Sequence, residues 1–148
     1  MNIFESKYVQ VNYNPVTNSV ETIWKDFATS DEFRKTIDIV YEAMIKNKPQ
    51  NWVVDFTRAG VVAVKDQEWF YNKVLPKMAR AGIKKAPVVA SGDVFSKMHS
   101  DEAKRHMNRM GIESRYFENR QAIEEWLLTG NLNQEHPRAG KFNTFNLF

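Results

Sequence analysis

Trp52-Val53-Val54-Asp55-Phe56 is a short run, apolar and β-branched except at Asp55, flanked on both sides by segments of helical period. A strand buried on both faces reads this way, because a half-solvated strand alternates apolar with polar positions. Such a strand belongs inside a mostly parallel sheet, and the neighbouring segments support that placement. Before it, Phe33, Ile37, Val40, Tyr41, Met44 and Ile45 recur at the spacing of one helix face. Thr29-Ser30-Asp31 offers the N-cap, and Pro49 closes the segment. Earlier still, Tyr8 to Tyr13 and Ser19 to Trp24 are alternating runs joined by Asn14-Pro15-Val16-Thr17-Asn18, the signature of a hairpin.

After a loop through Gly60, the spacing predicts a helix from Lys65 to Ala81 that buries Phe70, Val74, Met78 and Ala81, with Gly82 as its stop. Pro76 lies inside it. A missing N–H and a clash one turn back predict a kink or a division into two helices there. Ala86 to Ser91 reads as the next buried strand, Asp93 to Met110 as a helix ended by Gly111, and Glu113 to Phe117 as the last strand. Asn119 caps a short helix reaching Leu128. The order β-β-α-β-α-β-α-β-α specifies an α/β domain with a mostly parallel five-stranded sheet, right-handed crossovers and an antiparallel entry through the hairpin.

The 148 residues, 43% hydrophobic and 13% aromatic, allow one domain with a substantial core and exclude disorder and disulfide scaffolds. Without cysteine there is no thiol nucleophile, cysteine zinc site or iron–sulfur cluster. No apolar run is long enough to span a bilayer, and Met1 to Lys7 lacks the pattern of a signal peptide. The expectation is therefore a cytoplasmic protein that does not insert into membranes. The formal charge is +3, and its excess gathers in residues 65–85, where six Lys/Arg face two Asp/Glu. Lys73, Lys77, Arg80 and Lys84 recur at i, i+4, i+7 and i+11, a stripe that is either a solvated face or a surface for an acidic protein partner. Nucleic acid would need a denser patch with accessible stacking aromatics and is not expected.

Over residues 3–128, a set of local patterns carries a resemblance. They are the hairpin, Trp24-Lys25-Asp26-Phe27, Ser30-Asp31-Glu32-Phe33-Arg34, Trp52-Val53-Val54-Asp55, Asp66-Gln67-Glu68-Trp69, Ala81-Gly82-Ile83-Lys84-Lys85, Tyr116-Phe117 and Ala122-Ile123-Glu124-Glu125-Trp126-Leu127. Together they resemble a group of small bacterial proteins described as STAS-like, after the anti-sigma-factor-antagonist fold that is also similar to lipid-binding CRAL-TRIO proteins. The resemblance implies a non-catalytic regulatory or protein-interaction module. In regulatory STAS proteins, a Ser at the helix start after the strand matching Trp52–Phe56 is phosphorylated to control partner binding. Here Val61 to Asp66 contains neither Ser nor Thr, so that switch is not expected. The loop and the basic stripe beside it remain the implied partner surface: Asp55, Thr57, Arg58, Lys65, Asp66, Lys73, Lys77, Arg80 and Lys84.

Chemical motifs are mostly excluded. Glycines at 60, 82, 92, 111, 130 and 140 form neither a dinucleotide fingerprint nor a P-loop, and no G-x-S-x-G elbow exists. His99 and His106 stand seven residues apart, about 10 Å along a helix, too far to share one zinc. No cofactor, metal or catalytic residue is expected. Topology still directs attention to the carboxyl ends of the strands, where Asp26, Asp55 with Thr57 and Arg58, and Ser91 with Gly92 and Asp93 fall. A magnesium-dependent phosphoacceptor at Asp55 would draw on such residues, but the accompanying acid cluster and a Lys after the last strand are missing. The other reading makes Asp26 and Asp55 acceptors of backbone N–H groups in turns, with Asp93 capping a helix.

Trp24, Trp52, Trp69, Phe70 and Trp126 either fill the core or line a pocket for a small apolar ligand or lipid, the alternative function. Residues 129–148 form a tail with no period until Phe142, Phe145, Leu147 and Phe148. These are too apolar to leave in water and are expected to dock on the domain or on a second copy, the latter giving a homodimer.

Overall fold

The computed structural model describes residues 1–58, 62–90 and 101–131. Among the described residues the sheet has six strands rather than the five expected, because Asn2–Glu5 forms an edge strand, β1. β1 pairs antiparallel with β2 (Val9–Asn14) across a register shift between Asn2 and Phe4, and the Met1 ammonium donates to the Tyr13 carbonyl at 3.0 Å. Four residues interrupted by a shift carry too little alternation to be recognised as a strand. The hairpin forms as predicted: β2 pairs with β3 (Ser19–Trp24) from Val9 opposite Trp24 to Asn14 opposite Ser19.

α1 (Ser30–Asn47) begins where the Thr29 hydroxyl accepts the Glu32 N–H at 3.2 Å, and ends at Lys48, whose N–H still reaches the Met44 carbonyl and whose positive φ turns the chain out of the helix. β4 (Asn51–Phe56) follows, buried along nearly its whole length as its composition requires. The disturbance expected at Pro76 takes the form of a change of helix type just before it, not of a break at the proline. α2 (Val64–Trp69) and α3 (Leu75–Arg80) are separated by one π turn, Phe70–Val74, in which the Leu75 N–H reaches back to the Phe70 carbonyl. A widened turn just before the proline relieves the collision between its ring and the preceding carbonyls. β5 (Val88–Ala90), α4 (Asp101–Arg109), β6 (Tyr116–Phe117) and α5 (Arg120–Thr129) complete the described elements. The Asn119 carboxamide caps α5 by accepting the Ala122 N–H at 2.8 Å.

The strands lie in the sheet in chain order, β1 to β6, with β3, β4, β5 and β6 mutually parallel. Each crossover therefore advances in the same direction, and the helices of the three crossovers pack on the same face. On that face Trp24, Trp52, Val54, Phe56, Val88 and Tyr116 join Phe33, Ile37 and Met44 of α1, Phe70 and Val74 of the π turn, Met78 of α3 and Met107 of α4 in one core. The alternate residues Val53, Val89 and Phe117 meet Ala122, Ile123 and Trp126 of α5 on the other face. The result is a mixed α/β domain in three unequal layers. Among the described residues, no helix is long and apolar enough to cross a membrane. Ser91, Asp93, His99 and the tail residues Phe142, Phe145, Leu147 and Phe148 lie outside the described residues.

Candidate functional site

β3 and β4 run parallel side by side, and each is followed by a helix that starts above its carboxyl end. Between these two helix starts lies a cavity of about 360 Å3. Its inner wall is aromatic. Trp24 at the end of β3 stacks on Phe33 of α1 at 5.6 Å and on Phe56 at the end of β4 at 6.3 Å, the second pair nearly parallel at 4°. All three rings are buried. The mouth is apolar as well: Phe27 and Val64 line the cavity and are 67% and 69% exposed. Large apolar side chains left this open usually meet another molecule when they rim a concavity, although isolated ones need no explanation.

The polar lining consists of Asp26, Ser30 and Asp66. Asp66 is buried on the first turn of α2, where it receives the Ser30 hydroxyl at 2.7 Å on one oxygen and the Arg34 Nε–H at 3.0 Å on the other. Burial pushes its carboxyl upward, but the hydrogen bonds from Ser30 and Arg34, aided by the charges of Arg34 and Lys65, outweigh that and hold it below the ordinary carboxylate value. Arg34 is itself positioned by lying over the Trp69 ring, 4.9 Å from its centre. The network ties the start of α1 to the start of α2 and thereby fixes the width of the cavity. Asp26 accepts the Phe27 N–H at 2.7 Å with one oxygen and is exposed at the rim.

The residues singled out from sequence distribute unevenly over this geometry. Asp66, expected on the partner surface, is buried and ion-paired instead, because its position on α2 faces α1 rather than solvent. Lys65, Thr57 and Arg58 are exposed. Asp55 points to the opposite side of β4, where it accepts the Thr57 N–H at 2.9 Å and lies 3.8 Å from Arg120 of α5. Asp26 and Asp55 thus both accept turn N–H groups. Among the described residues, no group of His, Cys, Asp and Glu is arranged to hold a metal ion.

Lys73, Lys77 and Arg80 are exposed along the π turn and α3, with Lys77 Nζ 4.7 Å above the Tyr41 ring. Lys84 is exposed too, but it stands beyond the helix, past Gly82, so the stripe continues on extended chain rather than on a fourth helical turn. The five aromatics proposed for one pocket do not meet in one place. Trp24, Trp52, Trp69 and Phe70 lie on the α1 side, and only Trp24 lines the cavity. Trp126 packs against Phe117 at 5.3 Å on the other face of the sheet. Trp52 closes its own hydrogen bond to the Thr22 hydroxyl at 2.8 Å and is core. His106 stacks flat on Tyr71 at 4.6 Å.

Sequence reasoning missed Ser30, Arg34, Phe27, Phe33 and the Val62–Val64 stretch as site residues. Ser30 and Arg34 are four apart on α1 and so share a face, which was legible, but nothing local shows that Asp66 faces them. No protein-family model, curated protein or solved structure matches the chain.

Proposed function

We propose that this chain is a non-catalytic binding domain that takes a small, mainly apolar ligand in the cavity above β3 and β4. The cavity itself carries this reading. At about 360 Å3 it reaches the size of small-molecule sites, and its wall of Trp24, Phe33 and Phe56 with an exposed Phe27 and Val64 at the mouth offers apolar contact at both depths. Its position outside the carboxyl ends of parallel strands is where open α/β sheets hold ligands. The test is saturation-transfer NMR with propylbenzene, a neutral probe small enough for the space. Transfer is expected in the native protein and is lost in Ala63→Trp, which fills the mouth from an exposed position. Absence of transfer to the native protein, or transfer unaffected by the substitution, refutes the site.

A regulatory module that docks an acidic protein is the second reading, implied by the STAS-like resemblance. It is supported by the exposure of Lys73, Lys77, Arg80 and Lys84 in one stretch of chain. The two readings are compatible in one molecule, since the basic residues and the cavity-lining residues are different sets.

A further inference from the structure

The ligand class of this cavity follows from which polar atoms remain to be satisfied in it, and the inference rests on the binding reading above. Ser30 has spent its only hydroxyl hydrogen on Asp66, so its oxygen has only lone pairs left to offer. Asp66 and Asp26 are carboxylates and offer acceptors alone. Among the described lining residues none is Lys, Arg or His. The donor among the lining side chains is the Trp24 indole N–H on the inner wall, while both ionised groups of the lining are carboxylates, so the charge a bound molecule meets there is negative. The helix starts do not reverse this preference for positive charge. Asp31 and Glu32 already occupy the first turn of α1, and Asp66 that of α2, so the partial positive charge of both ends is answered by the chain itself.

Asp66 shares its charge with Arg34. Asp26, exposed at the rim with one oxygen engaged by a backbone N–H, is the carboxylate with capacity for a bound cation. We infer that the cavity is selective for a small organic amine, with the ammonium at the Asp26 side and the apolar body against Trp24, Phe33 and Phe56.

Three probes of one shape test this on the full chain: 2-phenylethylamine as the ammonium, propylbenzene as its neutral isostere, and 3-phenylpropanoate as the anion. Affinity is read by tryptophan fluorescence and by competition in saturation-transfer NMR at pH 7. The amine is expected to bind about threefold to fivefold more tightly than propylbenzene, and the anion more weakly than either. Asp26→Asn is expected to erase the advantage of the amine while leaving propylbenzene binding intact, a result that a folding defect cannot mimic. Equal binding of amine and neutral probe, or preference for the anion, overturns the cation assignment and leaves the apolar site standing. Failure of all three overturns both. Preference for an N-acetylated lysine methyl ester over 2-phenylethylamine would assign the site to a protein side chain and overturn the small-amine proposal.

Discussion

Asp66→Asn isolates the network that joins α1 to α2, because it preserves the shape of the side chain and removes its charge. In the native domain Asp66 accepts from two donors, Ser30 at 2.7 Å and Arg34 at 3.0 Å. An asparagine has one acceptor oxygen, which Arg34 requires; its amide N–H groups then face Ser30, whose hydroxyl can accept instead of donate, so the substitution removes the charge from both hydrogen bonds rather than either bond. A hydrogen bond to a charged group contributes about 1.5–3 kcal/mol when the acceptor is buried. The gain is smaller here, since the Arg34 side chain is 40% exposed and regains water, and since burying the carboxylate had its own desolvation cost. The expected loss is about 1–2 kcal/mol, or roughly 3–8 °C in melting temperature for a domain of this size.

The pH dependence separates this account from a generic packing defect. The folded carboxyl titrates below its ordinary value, and the unfolded one near about 3.9. Its stabilisation is therefore fully present above the unfolded value and fades as pH falls through the folded one. Urea unfolding followed by tryptophan fluorescence should show a constant gap between native protein and variant from pH 5 to pH 8 that narrows toward pH 3. A gap as wide at pH 3 as at pH 7, or no gap at neutral pH, refutes the assignment of the ionised network as the tie between the helices.

Three further outcomes are expected. Reversing Lys73, Lys77 and Lys84 to Glu should abolish salt-sensitive retention on immobilised polyglutamate while costing under about 1 kcal/mol per site in stability, with Lys77 the most costly because it lies over Tyr41; unchanged retention removes this face as an acidic-partner surface. Trp126→Ala should lower stability by about 3–5 kcal/mol and speed hydrogen exchange first in α5, whose contact with the sheet centres on that ring; uniform acceleration across the sheet would contradict a separately held layer. Incubation with acetyl phosphate and magnesium should leave the intact mass unchanged, since Asp55 is engaged by the Thr57 N–H and lies near Arg120; one added phosphate that disappears in Asp55→Asn would make phosphoacceptor chemistry the leading function.

The parts of this fold that were legible in the sequence are those enforced by period. Burial of Phe33, Ile37, Val40 and Met44 repeats at helical spacing, Val9 and Val11 repeat at two, and Asn51 to Val54 is buried without a break. Pro76 announced a disturbance because its constraint is local, although only the structure shows that it is resolved as a π turn. What escaped was either too short or too distant. β1 is held by a register-shifted pairing that four residues cannot advertise. The side of the sheet to which Trp126 belongs depends on strand order, which no local pattern carries. Asp66 sits among lysines in the sequence and reads as part of a charged surface, yet its partners are 36 and 32 residues away and turn it inward.

The position of the cavity follows from the same sequential winding. Where successive crossovers advance in one direction, helices line up on one face, and neighbouring helices start above neighbouring strand ends. Between β3 and β4 the start of α1 must clear Trp24, and the start of α2 must clear Phe56, two bulky ends that stack on each other at 6.3 Å. Two helix starts held apart by aromatic strand ends leave a space that backbone alone does not fill. The chain bridges it with Asp66, reaching Ser30 and Arg34, instead of closing it with a large apolar side chain. A bridge of this kind costs desolvation that a well-packed leucine would not. Its place at the mouth of the cavity supports the binding reading proposed above, in which the width held by Asp66, Ser30 and Arg34 decides what enters.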